Sequence, residues 1–492
     1  MRKAAIFAAV AVVLVGAGAA ALPLAQEYLA GQIKSGIEQD GTVSVGAVEV
    51  GILDRRLTLH DIRSRQIAGL SAERWEATGL AWPIGELLQG RSPLTGFRLG
   101  DPFRANRVEV KNLHIKASGE QGWTFGTVIL EGLDLARFDA DVPLGPFQAG
   151  AIGARLLKAL SLSRFEERDV IYTAPFSANT VGFVQITGEN YDRGRLGGFA
   201  LAHLEATPKA AAEPSFALGN IKAAGIDMDR ILTAMSQPSW RPGMPLGRLG
   251  VEHLDASGFG GELFQRYGIS LGAVSIDTTH EGADVSRTAT KVEGFTMAPP
   301  QRGLEGLQMR IVMMAMGLKE LKLALACDGK EDRTKGEVSV EGCALTGDDL
   351  GVLTLSGKLV NADAGFWRAL DSGNTTLLNG TKTALGEAKL VLADKGLLER
   401  SMRALSATSG QAPSATRANM AREIRRYQPP NVLITEDMTK LLETVARFVE
   451  KGGTLTLDAR PDPPFGLDKM QYLQQPGPDL VSLLGLTASV AP

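Results

Sequence analysis

Apolar residues recur at every second position along much of this chain, a period that fits β-strand and not helix. Val108 to Ala117, Thr127 to Leu135, Leu318 to Cys327 and Gly336 to Cys343 carry it. Leu57-Thr58-Leu59-His60-Asp61-Ile62 reads as a further strand, returning from a turn at Leu53-Asp54-Arg55-Arg56. Glycine is abundant but dispersed, which suits many short strands joined by turns. In Val43-Ser44-Val45-Gly46-Ala47-Val48-Glu49-Val50 the phase slips. Val43 and Val45 hold one parity and Val48 and Val50 the other, which predicts a bulge or bend near Gly46.

Near residue 395 the period changes to that of a helix. Leu397, Leu398, Met402 and Leu405 fall on one face, then Met420, Ile424 and Tyr427. Thr435 followed by Glu436-Asp437 predicts an N-cap with an acidic first turn. Met438, Leu441, Leu442, Val445 and Val449 form a stripe that reads as core, and Gly452-Gly453 ends the helix. Thr454 to Asp458 is one more strand. Gln26 to Gln39 is expected to be an amphipathic helix with Tyr28, Leu29, Ile33 and Ile37 near one face.

An internal echo suggests repetition. Gly132-Leu133-Asp134-Leu135-Ala136-Arg137 aligns with Gly225-Ile226-Asp227-Met228-Asp229-Arg230. Glu293-Gly294-Phe295-Thr296-Met297 and Glu341-Gly342-Cys343-Ala344-Leu345 carry part of the pattern.

The chain opens with Arg2-Lys3 and an uncharged apolar run from Ala4 to Leu22, the pattern of an export signal or a single membrane anchor. Ala19-Ala20-Ala21 offers a cleavage site, but the run is long for a signal core and continues directly into the expected helix. A retained anchor is therefore expected, with the cationic end in the cytoplasm and the rest exported. The organisation expected is a signal anchor at 1–25, a β-rich domain at 26–215, a second β-rich repeat region at 216–394 and a helical region ending in a strand at 395–492. The class is mainly β with α: a membrane helix, an elongated antiparallel sheet or groove with repeats, and a small helical C-terminal region.

The formal net charge is −3, with no block of like charge, so no nucleic-acid partner is expected. The two cysteines, Cys327 and Cys343, flank Asp328-Gly329-Lys330-Glu331-Asp332-Arg333, which reads as the turn of a hairpin. A hairpin brings them close, and in an exported protein they are candidates for a disulfide worth roughly 3 kcal/mol. The other reading is two separate buried thiols.

Motifs for catalysis are missing. The five histidines, at 60, 114, 203, 253 and 280, are scattered, and no metalloprotease, serine-hydrolase, phosphate-loop or CxxC pattern occurs. Asp139/Asp141 and Asp348/Asp349 are paired carboxylates on loops, whereas general acid/base work needs two carboxyls in different environments facing a cleft. The chain is expected not to be an enzyme, and no cofactor or metal is expected.

The stretch Val43 to Ile62, with its strand pair ending in Leu57-Thr58-Leu59-His60-Asp61-Ile62 behind an apolar run and a short helix, resembles the start of AsmA-like proteins of the bacterial envelope. Gly69-Leu70-Ser71-Ala72 and Leu87-Leu88-Gln89-Gly90-Arg91 are similar to how that family continues. The resemblance covers about the first 120 residues. It implies a single-pass anchor in the inner membrane, a periplasmic β-structure, and binding or transport of phospholipid or another envelope lipid in support of the outer membrane. The alternative is a non-enzymatic envelope module that binds a protein partner by its sheet edge or its C-terminal helices.

Overall fold

The computed structural model describes residues 26–39, 41–64, 69–116, 121–141, 148–173, 180–208, 214–237, 239–241, 244, 249–282, 284–300, 303–373, 378, 380–428, 434–469 and 479–492. Strand dominates, and every pairing among the described residues for which a register is defined is antiparallel. The apolar run Ala4–Leu22 lies outside the described residues. Among the described residues no helix is long and apolar enough to cross a membrane. The chain forms two compact units: residues 1–213 with 224–244, and residues 214–223 with 245–492.

The first unit begins with helix α1 over residues 26–38. Leu29 and Ile33 on it are buried, but Tyr28 is 68% exposed. One residue is about 100° of helix rotation, so Tyr28 cannot share the face that Leu29 occupies. A meander follows: β1 (Val43–Ser44), β2 (Ala47–Gly51), β3 (Arg56–Ser64) and β4 (Leu70–Thr78), the short helix α2 (Ile84–Leu88), then β5 (Phe103–Lys116) and β6 (Gly122–Leu135). After α3 (Gln148–Ala159) come β7 (Leu160–Thr173), β8 (Thr180–Asp192) and β9 (Arg195–Thr207). β10 (Phe216–Asp227) is divided between the units, and α4 (Asp229–Met235) belongs to the first. The expected bend near Gly46 separates β1 from β2. It brings Val43, Val45, Val48 and Val50 into one core with Leu29, Ile33, Leu57, Leu59 and Trp82.

The long strands of this unit share aligned kinks. Asp61, Asn112, Asp169 and His203 have φ of +50, +49, +52 and +53°, the left-handed region that Asn, Asp and His enter most readily among residues with a side chain. The register on either side places them in one line: Asp61 opposite Glu73, Asn112 opposite Gly126, Asp169 opposite Gly126 and Val184, and Val184 opposite His203. A second line joins Gly132 and Asn190, at φ +61 and +54°. Each kink leaves two successive residues on the outer face. Inward positions therefore run in steps of two and three: 123, 125, 128, 130, 133, 135 on β6 and 160, 162, 165, 167, 170, 172 on β7.

The echoed glycines are kink points too. Gly132, Gly225 and Gly294 stand at φ +61, +60 and +66°. A Cβ on Gly132 would meet Ser163 Oγ at 2.7 Å. Gly342 has ordinary φ and open space around it.

The second unit continues with β11 (His253–Ser257), α5 (Glu262–Tyr267), β12 (Ile269–Ser270), β13 (Ala273–His280) and β14 (Val285–Met297). Helix α6 (Leu304–Ala315) leads to β15 (Leu321–Asp332), β16 (Glu337–Gly347) and β17 (Gly351–Val360). Helix α7 (Ala364–Ser372) follows, its first turn capped by Asp363, which accepts from Phe366 N–H at 2.9 Å. Then come β18 (Ala384–Asp394), the helices α8 (Leu397–Ser409), α9 (Pro413–Arg426) and α10 (Glu436–Lys451), and β19 (Thr454–Ala459), β20 (Phe465–Gly466), α11 (Leu480–Leu483) and β21 (Leu486–Ala491). Thr435 is the N-cap of α10, accepting from Met438 N–H, and Gly452 ends it. The last strand, β21, pairs with β19.

The turn of the cysteine hairpin lies later than its charges suggest. Asp328 to Asp332 stay in the ladder opposite Glu337 to Gly342, and the chain reverses over residues 333–336. Asp332 Oδ1 accepts from Thr334 Oγ1 and Lys335 N–H, which secures the reversal there.

Candidate functional site

The strands present one apolar face in each unit. In the first, a register row runs Leu59, Trp75, Val110, Val128, Glu167, Ile186, Leu201. At the start of this row, Leu59 packs into one buried core with Leu57 and with Ile33 of α1. Trp123, Phe125 and Tyr172 form an aromatic group farther along the face, with the Trp123 and Tyr172 rings 4.4 Å apart.

Every inward position of β6 to β9 is apolar, glycine or tyrosine except Glu167. Its register partners are Val128 and Ile186, and it makes no hydrogen bond or ion pair among the described residues. Burial pushes its carboxyl above the ordinary range. Glu166, one residue earlier, points to the outer face. Burial alone would raise that carboxyl as well. Hydrogen bonds from Arg168 and Gln185, with the charges of Arg168 and Arg164, hold it below the ordinary range instead. Tyr191, inward on β8, donates to Leu157 O at 2.8 Å, and burial pushes its hydroxyl up to about 12.

In the second unit one row is apolar across the whole run of strands: Ala256, Val274, Val292, Leu325, Leu345, Leu353, Leu392, Leu455, Val490. The next row carries Cys327 and Cys343 as register partners, their Cα atoms 3.8 Å apart and their sulfurs joined, then Leu355, Leu390, Leu457 and Ala488. Helix α10 packs against β19 and β21, and Leu455 is buried there. Between β16 and β18 the face opens: Leu355 is 47% exposed, and Val338, Val340, Leu359, Leu385 and Ala388 join it around an apolar depression of about 230 Å³.

The histidines and paired carboxylates do not meet. His60 lies 3.1 Å from Glu49, His114 3.3 Å from Thr124, and His203 is a kink residue. His253 lies between Asp277 and Asp255, at 2.6 and 2.7 Å, and their hydrogen bonds raise its pKa. Asp139 accepts from Arg155, while Asp349 sits on the β16–β17 turn 3.7 Å from Arg400. Among the described residues no group of His, Cys, Asp and Glu could hold a metal ion. What the sequence reading did not single out is Glu167. Its signal is the two-and-three spacing of apolar residues on β7, which puts 167 in phase with 162, 165 and 170.

A family model described only as "Uncharacterized protein" matches residues 344–491, from β16 to β21. Comparison with curated proteins gives no match.

Proposed function

We propose that this chain binds lipid, its acyl chains lying along the apolar sheet faces as in a groove. The observation that supports this is the continuous apolar row from Ala256 to Val490, with Leu355 and Val340 exposed beside it. An apolar face of that extent in water favours an apolar occupant. In this reading residues 1–25 are a retained anchor in the inner membrane, the remaining chain is periplasmic, and the protein carries envelope lipid or supports outer-membrane assembly as AsmA-like proteins do. Native mass spectrometry of the detergent-extracted full chain is expected to show bound phospholipid, and a deletion strain an altered envelope lipid composition. Lipid-free protein together with unchanged lipid composition refutes the proposal.

A second reading is supported by α6. Leu304, Leu307, Ile311 and Met314 form an exposed stripe along it, Leu304 at 71% and Met314 at 73%. A protein partner of the envelope would cover such a stripe. Crosslinking from Leu307 that captures one partner in stoichiometric yield favours this reading over the first.

A further inference from the structure

We infer that Glu167 is the headgroup contact of the first unit's apolar face, and that the lipid this face takes is an aminophospholipid. The inference rests on the lipid-binding reading and adds to it the chemistry of the head. Glu167 stands in mid-strand on β7 between Val128 and Ile186, with no partner among the described residues. The arginines of β7 do not serve it, since Arg164 and Arg168 are engaged with Glu166 on the outer face. A carboxylate in such a setting is stabilised best by an opposite charge that also donates hydrogen bonds. A primary ammonium supplies both, with three N–H donors on one compact cation. A glycerol head lacks the charge, and a quaternary ammonium lacks the donors. An anionic head without an amine would add repulsion to desolvation. Burial already pushes the free carboxyl upward, and a bound ammonium would draw it back toward ionisation. The neighbouring inward residues offer nothing else polar to an amine: Phe165, Val170 and Leu201 surround the position with hydrocarbon.

The test uses the full chain in a non-ionic detergent with an equimolar mixture of phosphatidylethanolamine and phosphatidylglycerol of identical acyl chains, read by native mass spectrometry. The wild type is expected to retain the amine lipid about tenfold over the glycerol lipid, the ratio for one charged hydrogen-bonded contact. Glu167→Gln is expected to bring the ratio near one by lowering retention of the amine lipid. Glu167→Leu, which suits the apolar face and guards against misfolding of the first variant, is expected to do the same. Lipid bound without preference by the wild type, or a preference that survives both substitutions, overturns the inference and leaves the lipid-binding reading standing. Wild-type protein that takes up neither lipid overturns both.

Discussion

The two units present similar apolar faces and treat them differently. In the first, α1 shares a core with β2 to β5, Leu57 is 0% exposed, and the strands kink at aligned left-handed residues. In the second, β15 and β17 keep a strict two-residue period, and Leu355 is 47% exposed in mid-strand. Both faces are built largely from aliphatic residues, with aromatic rings added in the first. What separates a core from an open surface here is whether a neighbouring segment returns as a covering helix. An apolar face is thus necessary for a core but does not by itself specify one.

The sharpest way to break that contrast is one substitution in each unit. Leu57→Ala removes a fully buried side chain from the core that α1 helps to close and is expected to cost about 3–4 kcal/mol, from lost transfer energy plus a cavity. Leu355→Ala removes the same atoms from the open face and is expected to cost less than about 1 kcal/mol, since much of that side chain is already in water. Urea denaturation of each full-length variant measures both. Equal costs would mean that the second face is covered in solution.

Much of the second unit's face was legible in the sequence, because Leu321, Leu323, Leu325 and Cys327 alternate without interruption and one register follows from them. The pairing of Cys327 with Cys343 was readable for that reason, even though charged residues misplaced the turn. The first unit's face was less legible. Asp61, Asn112, Asp169 and His203 look like ordinary polar strand residues, yet each shifts the inward phase by one. Glu166-Glu167-Arg168-Asp169 reads as a solvated charge run, while the kink at Asp169 and the phase of β7 turn one of its members inward. Helix α6 leaves little helical period on the sequence, because Ile311 to Ala315 are apolar without a break and its exposed stripe faces solvent rather than a core.

The echoed glycines test the same contrast at the backbone. Gly132→Ala places a Cβ at φ +61° and within 2.7 Å of Ser163 Oγ, and is expected to cost about 1–2 kcal/mol. Gly342→Ala, at ordinary φ with nothing near its Cβ, is expected to change stability by no more than about 0.5 kcal/mol, with stabilisation through the unfolded chain the favoured sign. Thermal unfolding of the two variants side by side distinguishes a kinked sheet from a merely flexible one. If Gly342→Ala proves the costlier, the kinks do not organise the first unit.

The smallest effect has the most distinctive signature, because Glu166 and Glu167 should respond to pH in opposite senses. The folded pKa of Glu167 lies above its ordinary value of 4.5. The folded state then holds its proton more tightly than the unfolded chain, so its contribution to stability declines as pH rises from 4.5 through the folded value. Glu167→Gln removes that decline and is expected to raise stability at pH 7 by about 1 kcal/mol, with no gain at about pH 4. Glu166 is held below 4.5, so its contribution is present above 4.5 and fades as pH falls through the folded value. Glu166→Gln is expected to lose about 1 kcal/mol at pH 7, a figure kept low because Arg164 and Arg168 are half exposed, and the loss should shrink in acid. Denaturation midpoints of both variants against wild type between about pH 4 and pH 7 supply the comparison. Parallel rather than opposed trends would place the two carboxylates in the same environment, and Glu167 would then not lie on the apolar face.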